Sequence, residues 1–335
     1  MTRPTVDSSV SPRMPPAHSQ THTDPATIRE VLAGDFRAVA RLISLVENDT
    51  LRAVPYLREL FPQTGRCFTI GVTGAPGSGK STLVDRLASR YRNDHGKVGI
   101  IAVDPTSPFS GGAILGDRIR MQSRSLDSGT FIRSMATRGN LGGLARATDD
   151  VLTVLDAAGF DIVLIETVGV GQDEVDIART ADATLVLLVP GMGDDIQAMK
   201  AGIMEIGDLF VINKADHAGV DRVETELNAL LTMSSRSDNW KPPVVRTVAS
   251  EEQGIEDCAR AIESYRSFLR TSSFRKKRRV EIQRERLLEV VRSQVLLKLM
   301  QHSGARERVE ALAQEIAERK TDPFSAADEL LRHCE

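Results

Sequence analysis

The pattern of apolar and polar residues changes three times along the chain, and those changes divide it. Residues 1–23 have no period. They are rich in Pro, Ser and Thr and predict a disordered tail. From Asp24 the spacing becomes helical. Asp24-Pro25 suits an N-cap followed by a first helical position. Ile28, Val31 and Leu32 form a stripe that Gly34 ends, and Asp35 caps a second helix bearing Phe36, Val39, Leu42, Ile43 and Val46 on one face. Short, nearly continuous apolar runs then take over at 67–73, 98–103, 162–166, 184–189, 209–212 and 244–248, with a further candidate at 130–134. Such runs predict strands buried on both faces of a mainly parallel sheet, joined by crossover helices. Beyond residue 270 only helical spacing remains. Leu288, Val291, Val295 and Leu299 form one stripe, and Val309, Leu312 and Ile316 another. Asp322-Pro323 caps a last helix with Ala326, Ala327, Leu330 and Leu331. The expected organisation is a tail (1–23), N-terminal helices (24–65), an α/β domain (66–270) and a C-terminal helical region (271–335). The last helices need a surface to bury against, in the same subunit or in a second one.

The first strand run leads into Gly74-Ala75-Pro76-Gly77-Ser78-Gly79-Lys80-Ser81, and an amphipathic stretch with Leu83, Leu87 and Tyr91 follows Thr82. Strand, GxxxxGK[ST] and helix in this order predict a P-loop. Glycines let successive N–H groups turn inward around phosphates, and the helix start adds its positive end. Lys80 suits the β and γ phosphates, and the Ser81 hydroxyl suits Mg²⁺.

Mg²⁺ takes hard oxygen ligands. Asp104 closes the second strand, and Asp117 follows the glycine-rich stretch Gly111–Gly116. Both are candidate Mg²⁺-side carboxylates, with helix capping or a turn as the alternative. Glu166-Thr167-Val168-Gly169 stands where a Walker-B DxxG would stand, with Glu in place of Asp. Glu166 is then a direct or indirect partner of Mg²⁺, and the Gly169 N–H faces the γ-phosphate. Gln172 either orients the attacking water or is a solvated loop amide. Asn213-Lys214-Ala215-Asp216 closes a later strand. This NKxD pattern selects guanine, because an Asp carboxylate accepts from N1–H and the exocyclic amine, a donor pair that adenine lacks. Ala249-Ser250 fits the remaining loop around the base. Arg138 is either a cation near the phosphates or a structural ion-pair partner.

Composition narrows the class. Apolar residues are 41% and charged residues 27%, ordinary for a folded soluble chain, while only 4% are aromatic, so aliphatic side chains must fill the core. The net charge of −3 argues against general nucleic-acid binding, and the run Arg275-Lys276-Lys277-Arg278-Arg279 is expected to be a solvated helix start. Cys67, Cys258 and Cys334 form no CxxC pair, which fits a cytoplasmic protein better than a disulfide framework. His18 and His22 in the tail are weak metal candidates. No apolar run is long enough to span a membrane.

The stretches VTGAPGSGKSTLVD (72–85), AVDPTSPFSGGAILGDRIRM (102–121), TRGNLGGLARAT (137–148), ETVGVGQDEVD (166–176), PGMGDDIQAMKAGIMEIGD (190–208) and NKAD (213–216) closely resemble the MeaB/ArgK/MMAA group of P-loop GTPases. The resemblance extends to LAGDFRAVARLISLVEN (32–48) and TDPFSAADELL (321–331). It implies an α/β P-loop fold, GTP and Mg²⁺ as ligands, and a homodimer built by the C-terminal helices. It further implies a metallochaperone that gates adenosylcobalamin delivery to an acyl-CoA mutase, such as methylmalonyl-CoA mutase, and protects or reactivates that enzyme. An adenosyltransferase is a further candidate partner. The family treats the segment matching 190–208 as a third switch that answers to the mutase. Lys200, or Asp194 or Asp195, is the candidate coupling residue there, with a solvated turn as the alternative. Three other readings compete: a nickel-type insertion GTPase, which would need Cys/His clusters; a kinase or transport ATPase, which NKAD disfavours; and a scaffold with a dead site, which Lys80, Ser81 and Asp104 disfavour.

Overall fold

The computed structural model describes residues 23–94, 96–104, 129–136, 143–167, 180–191, 206–233, 236, 238–272, 274–302 and 304–332. Three helices open the described chain: α1 (Pro25–Leu32), α2 (Phe36–Asn48) and α3 (Thr50–Leu60). The first two start where the sequence predicts. Asp24 Oδ1 accepts from Ala26 N and Asp35 Oδ1 from Ala38 N. The third has no counterpart in the sequence reading, because Pro55 stands inside it. An interior proline costs about 3 kcal/mol, and fully burying one leucine contributes roughly 1.5–3 kcal/mol. Leu57 and Leu60 are both buried, with Ala53, among α2 and the helix that precedes β4. Packing therefore outweighs the local penalty.

Seven strands follow: β1 (Phe68–Gly74), β2 (Val98–Asp104), β3 (Thr130–Ala136), β4 (Ile162–Glu166), β5 (Ala183–Leu188), β6 (Leu209–Asn213) and β7 (Val244–Thr247). All seven strand runs expected from sequence are present, within a residue or two at each end. They form one sheet in the order β3-β2-β4-β1-β5-β6-β7, every neighbouring pair parallel. Among the described residues, the helices between them are α4 (Lys80–Asp94), α5 (Gly143–Ala157) and α6 (Val220–Met233), and α7 (Ile255–Thr271) follows β7.

Alternate side chains feed opposite faces. Ile162 and Leu164 join a cluster with α4 and α7, whereas Val163 and Ile165 join one with α2, α3 and α5. Val186, Phe210 and Ile212 pack with Val223 and Leu227 of α6. Both faces are thus covered, which is why the strands read as unbroken apolar runs rather than alternating ones. Cys67 and Cys258 are buried, and burial pushes both thiols up, Cys258 to about 12.

Three helices close the chain: α8 (Phe274–Gln301), α9 (Ala305–Ala317) and α10 (Pro323–Arg332), the last capped by Asp322 Oδ1, which accepts from the N–H groups of Phe324 and Ser325. One expectation fails here. The basic run at the start of α8 is not wholly solvated. Lys276 and Lys277 are exposed, but Arg278 is largely buried and donates to both carboxylate oxygens of Asp208, at 3.3 and 3.2 Å. The Asp208 side chain is 1% exposed and also accepts from Arg236 and Tyr265, each at 2.8 Å. Two turns further along the same face, Arg286 donates to Asp150 Oδ1 (3.0 Å) and Thr153 Oγ1 (2.9 Å) of α5. A charge run reports helix and solvent, but it does not reveal a buried acid far away in sequence. The outer face of α8 is the opposite case. Val280 and Leu287 are about three-fifths exposed, and Leu288, Val291 and Val295 are also exposed. No described helix is long and apolar enough to cross a membrane.

Candidate nucleotide site

From β1 the chain passes to β2 and β3 on one side, returns to β4, and then crosses β1 to β5, β6 and β7 on the other. The carboxyl end of β1 is therefore the point where strand order reverses, and open α/β sheets bind ligands in the crevice at such a point. Gly74, Glu166, Asn213 and Thr247 all stand at carboxyl ends of strands. The register pairs Val72 with Glu166, and Asn213 with Thr247.

Gly74–Gly79 turn from β1 into α4 as the motif predicts. Gly74 has φ +145°, and a Cβ there would lie 2.5 Å from the Leu187 carbonyl oxygen. Gly79 has φ +92°, and a Cβ there would lie 2.4 Å from Asn213 Nδ2. Both positions therefore demand glycine on steric and backbone grounds. Lys80 is buried, and its ammonium donates to the carbonyls of Gly74 (2.7 Å) and Ala75 (3.0 Å), holding it inside the loop. Ser78 is buried, while Pro76, Gly77 and Thr82 are exposed.

The Asn213–Asp216 loop is tied to this turn directly. Asn213 Nδ2 donates to the Ser78 carbonyl at 2.8 Å, and Lys214 Nζ to the Gly77 carbonyl at 3.0 Å. The Asn213 side-chain oxygen accepts from Thr247 Oγ1 (3.0 Å) and from Ala249 N (3.1 Å). Lys214 has φ +56°, so the loop turns sharply after Asn213. Asp216 is half exposed, with His217 Nε2 at 3.8 Å from its carboxylate. Ala249 is buried and Ser250 exposed. Sequence reasoning missed Thr247. Its role depends on pairing between β6 and β7, which no local pattern reveals.

At the side of the cradle Ser81 Oγ donates to Glu166 Oε1 at 2.5 Å, and Glu166 is buried. A hydroxyl and a carboxylate side by side are the hard donors that Mg²⁺ accepts. Asp104 ends β2, two positions beyond the residue in register with Glu166; its side chain lies outside the described residues. So do Asp117, Arg138, Gly169, Gln172, Asp194, Asp195 and Lys200, and with them the tail histidines.

The family described as methylmalonyl Co-A mutase-associated GTPase MeaB matches residues 39–304. The chain belongs to this family. A Pyrococcus abyssi protein bearing a GTPase name is 50% identical over 309 residues, covering 91% of this chain and 95% of the relative. The mitochondrial methylmalonic aciduria type A homolog of Caenorhabditis elegans is 32% identical, covering 94% and 84%. Among solved structures, a LAO/AO transport system kinase superposes with TM-score 0.69 at 26% identity, over 93% of this chain and 99% of the other. The chain is thus a P-loop GTP hydrolase that binds GTP and GDP.

Guanine selection has a direct test. Asp216→Asn removes a charged acceptor and presents a donor instead. Two hydrogen bonds to a charged group are together worth roughly 3–6 kcal/mol. GTP affinity should fall by about 10²–10⁴-fold while xanthosine triphosphate gains. Competition binding with the two nucleotides reads this out, and an unchanged preference for GTP would remove Asp216 from the base site.

Proposed function

We propose that this GTPase is a metallochaperone whose hydrolysis gates adenosylcobalamin delivery to a cobalamin-dependent acyl-CoA mutase, with methylmalonyl-CoA mutase as the first candidate, and protects or reactivates that enzyme. The observation that supports the reading is the hydrogen-bonded junction of the GxxxxGKS and NKAD loops, in a chain whose family is described as methylmalonyl Co-A mutase-associated. The name of the Caenorhabditis elegans relative supports the same direction.

In this reading Gly74–Thr82 hold the phosphates, Lys80 neutralises charge on the β and γ groups, and Gly169 offers its N–H to the γ-phosphate. Asn213, Lys214 and Asp216, with Ala249 and Ser250, hold guanine. Ser81 and Glu166, with Asp104 and Asp117, would hold Mg²⁺, which when bound neutralises charge on the phosphates. Gln172 orients the water, and Lys200 couples partner contact to hydrolysis. The proposed setting is the cytoplasm. Residues 24–65, 66–270 and 271–335 act as preface, GTPase domain and dimerisation arm. The exposed apolar stripe of α8 supports the arm's role, since Val280, Leu287, Val291 and Val295 recur at helical spacing on one face. An adenosyltransferase is a further proposed partner.

The test is GTP turnover alone and with purified cobalamin-dependent mutases, beside a binding assay. The expected result is a complex with one mutase and faster turnover within it. Binding to none of them removes the chaperone reading and leaves the GTPase intact.

A further inference from the structure

The turn between β7 and α7 is tied first to itself and then to α4. Val248 N donates to the Gln253 carbonyl (3.1 Å) and Gln253 N to the Val248 carbonyl (3.2 Å), closing the turn around Ala249–Glu251. Gly254, with φ +74°, seals the exit, where a Cβ would lie 2.1 Å from the Arg246 carbonyl oxygen. A turn closed in this way moves as one piece. Glu252 stands in it at φ +63°, in the left-handed region that glycine adopts at least cost. A glutamate there is favoured only by what its side chain reaches. That side chain accepts from Arg86 Nη1 of α4. One turn further along α4, Arg90 donates to both carboxylate oxygens of Glu256, at the start of α7.

The two arginines are four residues apart, so they share one face of α4. The same helix starts at Lys80, inside the GxxxxGKS motif. It therefore meets the phosphate loop at its first turn and the Ala249–Gln253 turn near its middle. The Arg86 stem is anchored on the helix, since its Nε is buried. We propose that Arg86 and Glu252 are a positioning pair for the guanine end of the nucleotide: their ion pair holds the Ala249–Gln253 turn at a set distance from α4, so that the backbone of Ala249 and Ser250 meets the base while the phosphates sit on the start of the same helix. This rests on the base site proposed above. Neither side chain needs to touch the nucleotide.

The Glu252 side chain is 66% exposed, so the pair is modest in strength and screened by salt. Its effect falls on where the turn sits rather than on whether the chain folds. Glu252→Gly removes the carboxylate and relieves the left-handed backbone, and the freer unfolded chain offsets that relief. The melting temperature should stay within about 4 °C of wild type. Affinity for GTP and GDP should fall by about 2- to 5-fold at low salt, and the difference should close at about 0.5 M salt. Inorganic triphosphate, which carries no base, should bind both proteins equally. Arg86→Glu combined with Glu252→Arg should restore most of the guanine-nucleotide affinity that Arg86→Glu alone loses.

Equilibrium titrations of the full-length protein with GTP, GDP and inorganic triphosphate at the two salt concentrations test this, with Asp216→Asn in parallel. GTP affinity unchanged in Glu252→Gly but weakened in Asp216→Asn would overturn the positioning pair and leave the base site standing. Unchanged affinity in both variants would remove the base site and the pair with it. An equal loss for inorganic triphosphate, or a loss that persists at high salt or in the reversed pair, would also overturn it, because the substitution would then act through the fold.

Discussion

Lys80→Ala is expected to lower kcat for GTP by about 10²–10³-fold, the usual loss when one preorganised donor to a developing charge is removed. The ammonium sits where two loop carbonyls, those of Gly74 and Ala75, already fix it, so it is in place before any nucleotide arrives. Fixed charge of that kind costs no reorganisation during reaction, which is why its removal falls on turnover more than on folding. GDP affinity should fall less than GTP affinity, because the β-phosphate keeps the backbone N–H groups of the cradle. Single-turnover hydrolysis beside equilibrium binding of both nucleotides separates the two effects. Turnover within a few-fold of wild type would show that Lys80 does not act on the transferred phosphoryl group.

The largest effect on stability is expected at Asp208. Asp208→Ala should cost about 3–5 kcal/mol, the loss typical of breaking a buried ion cluster on one side. Arg236 keeps Asp238, at 2.8 Å, but Arg278 is left largely buried beside Tyr265 without a carboxylate. Asp208 also receives Thr184 N on its carboxylate, so the start of β5 loses a hydrogen bond as well. Arg278→Met should cost less, because it removes the charge that would otherwise be stranded. Urea midpoints for the two variants give the comparison. Equal losses, or a loss below about 1 kcal/mol for Asp208→Ala, would mean that water reaches the cluster and that it contributes little.

Much of this molecule was legible as a string. The strands were, because burial on both faces leaves almost no polar residue in Ile162–Glu166 or Leu209–Asn213. The turn from β1 into α4 was, because backbone geometry and close neighbours at Gly74 and Gly79 call for the glycines the motif supplies. The helix over Thr50–Leu60 was not, since a local proline signal hides a gain that comes from Leu57 and Leu60 meeting distant helices. Thr247 and the Asp208 cluster were not, because each depends on partners brought together only by the finished sheet. Local chemistry is written in local sequence, whereas the pairing that orients it is not.

The contact between Asn213 and the phosphate loop carries one more consequence. In the proposed site, base and phosphates would not be gripped by two independent jaws. The Ser78 and Gly77 carbonyls accept from the side chains of the two residues that open the proposed guanine loop, so in that reading two side-chain-to-backbone hydrogen bonds set the distance between the two ends of a bound nucleotide. The protein carries a fixed gauge. A ligand presenting only a base or only a polyphosphate gains one end of that gauge while the other stays empty, and its affinity falls below a proportionate share.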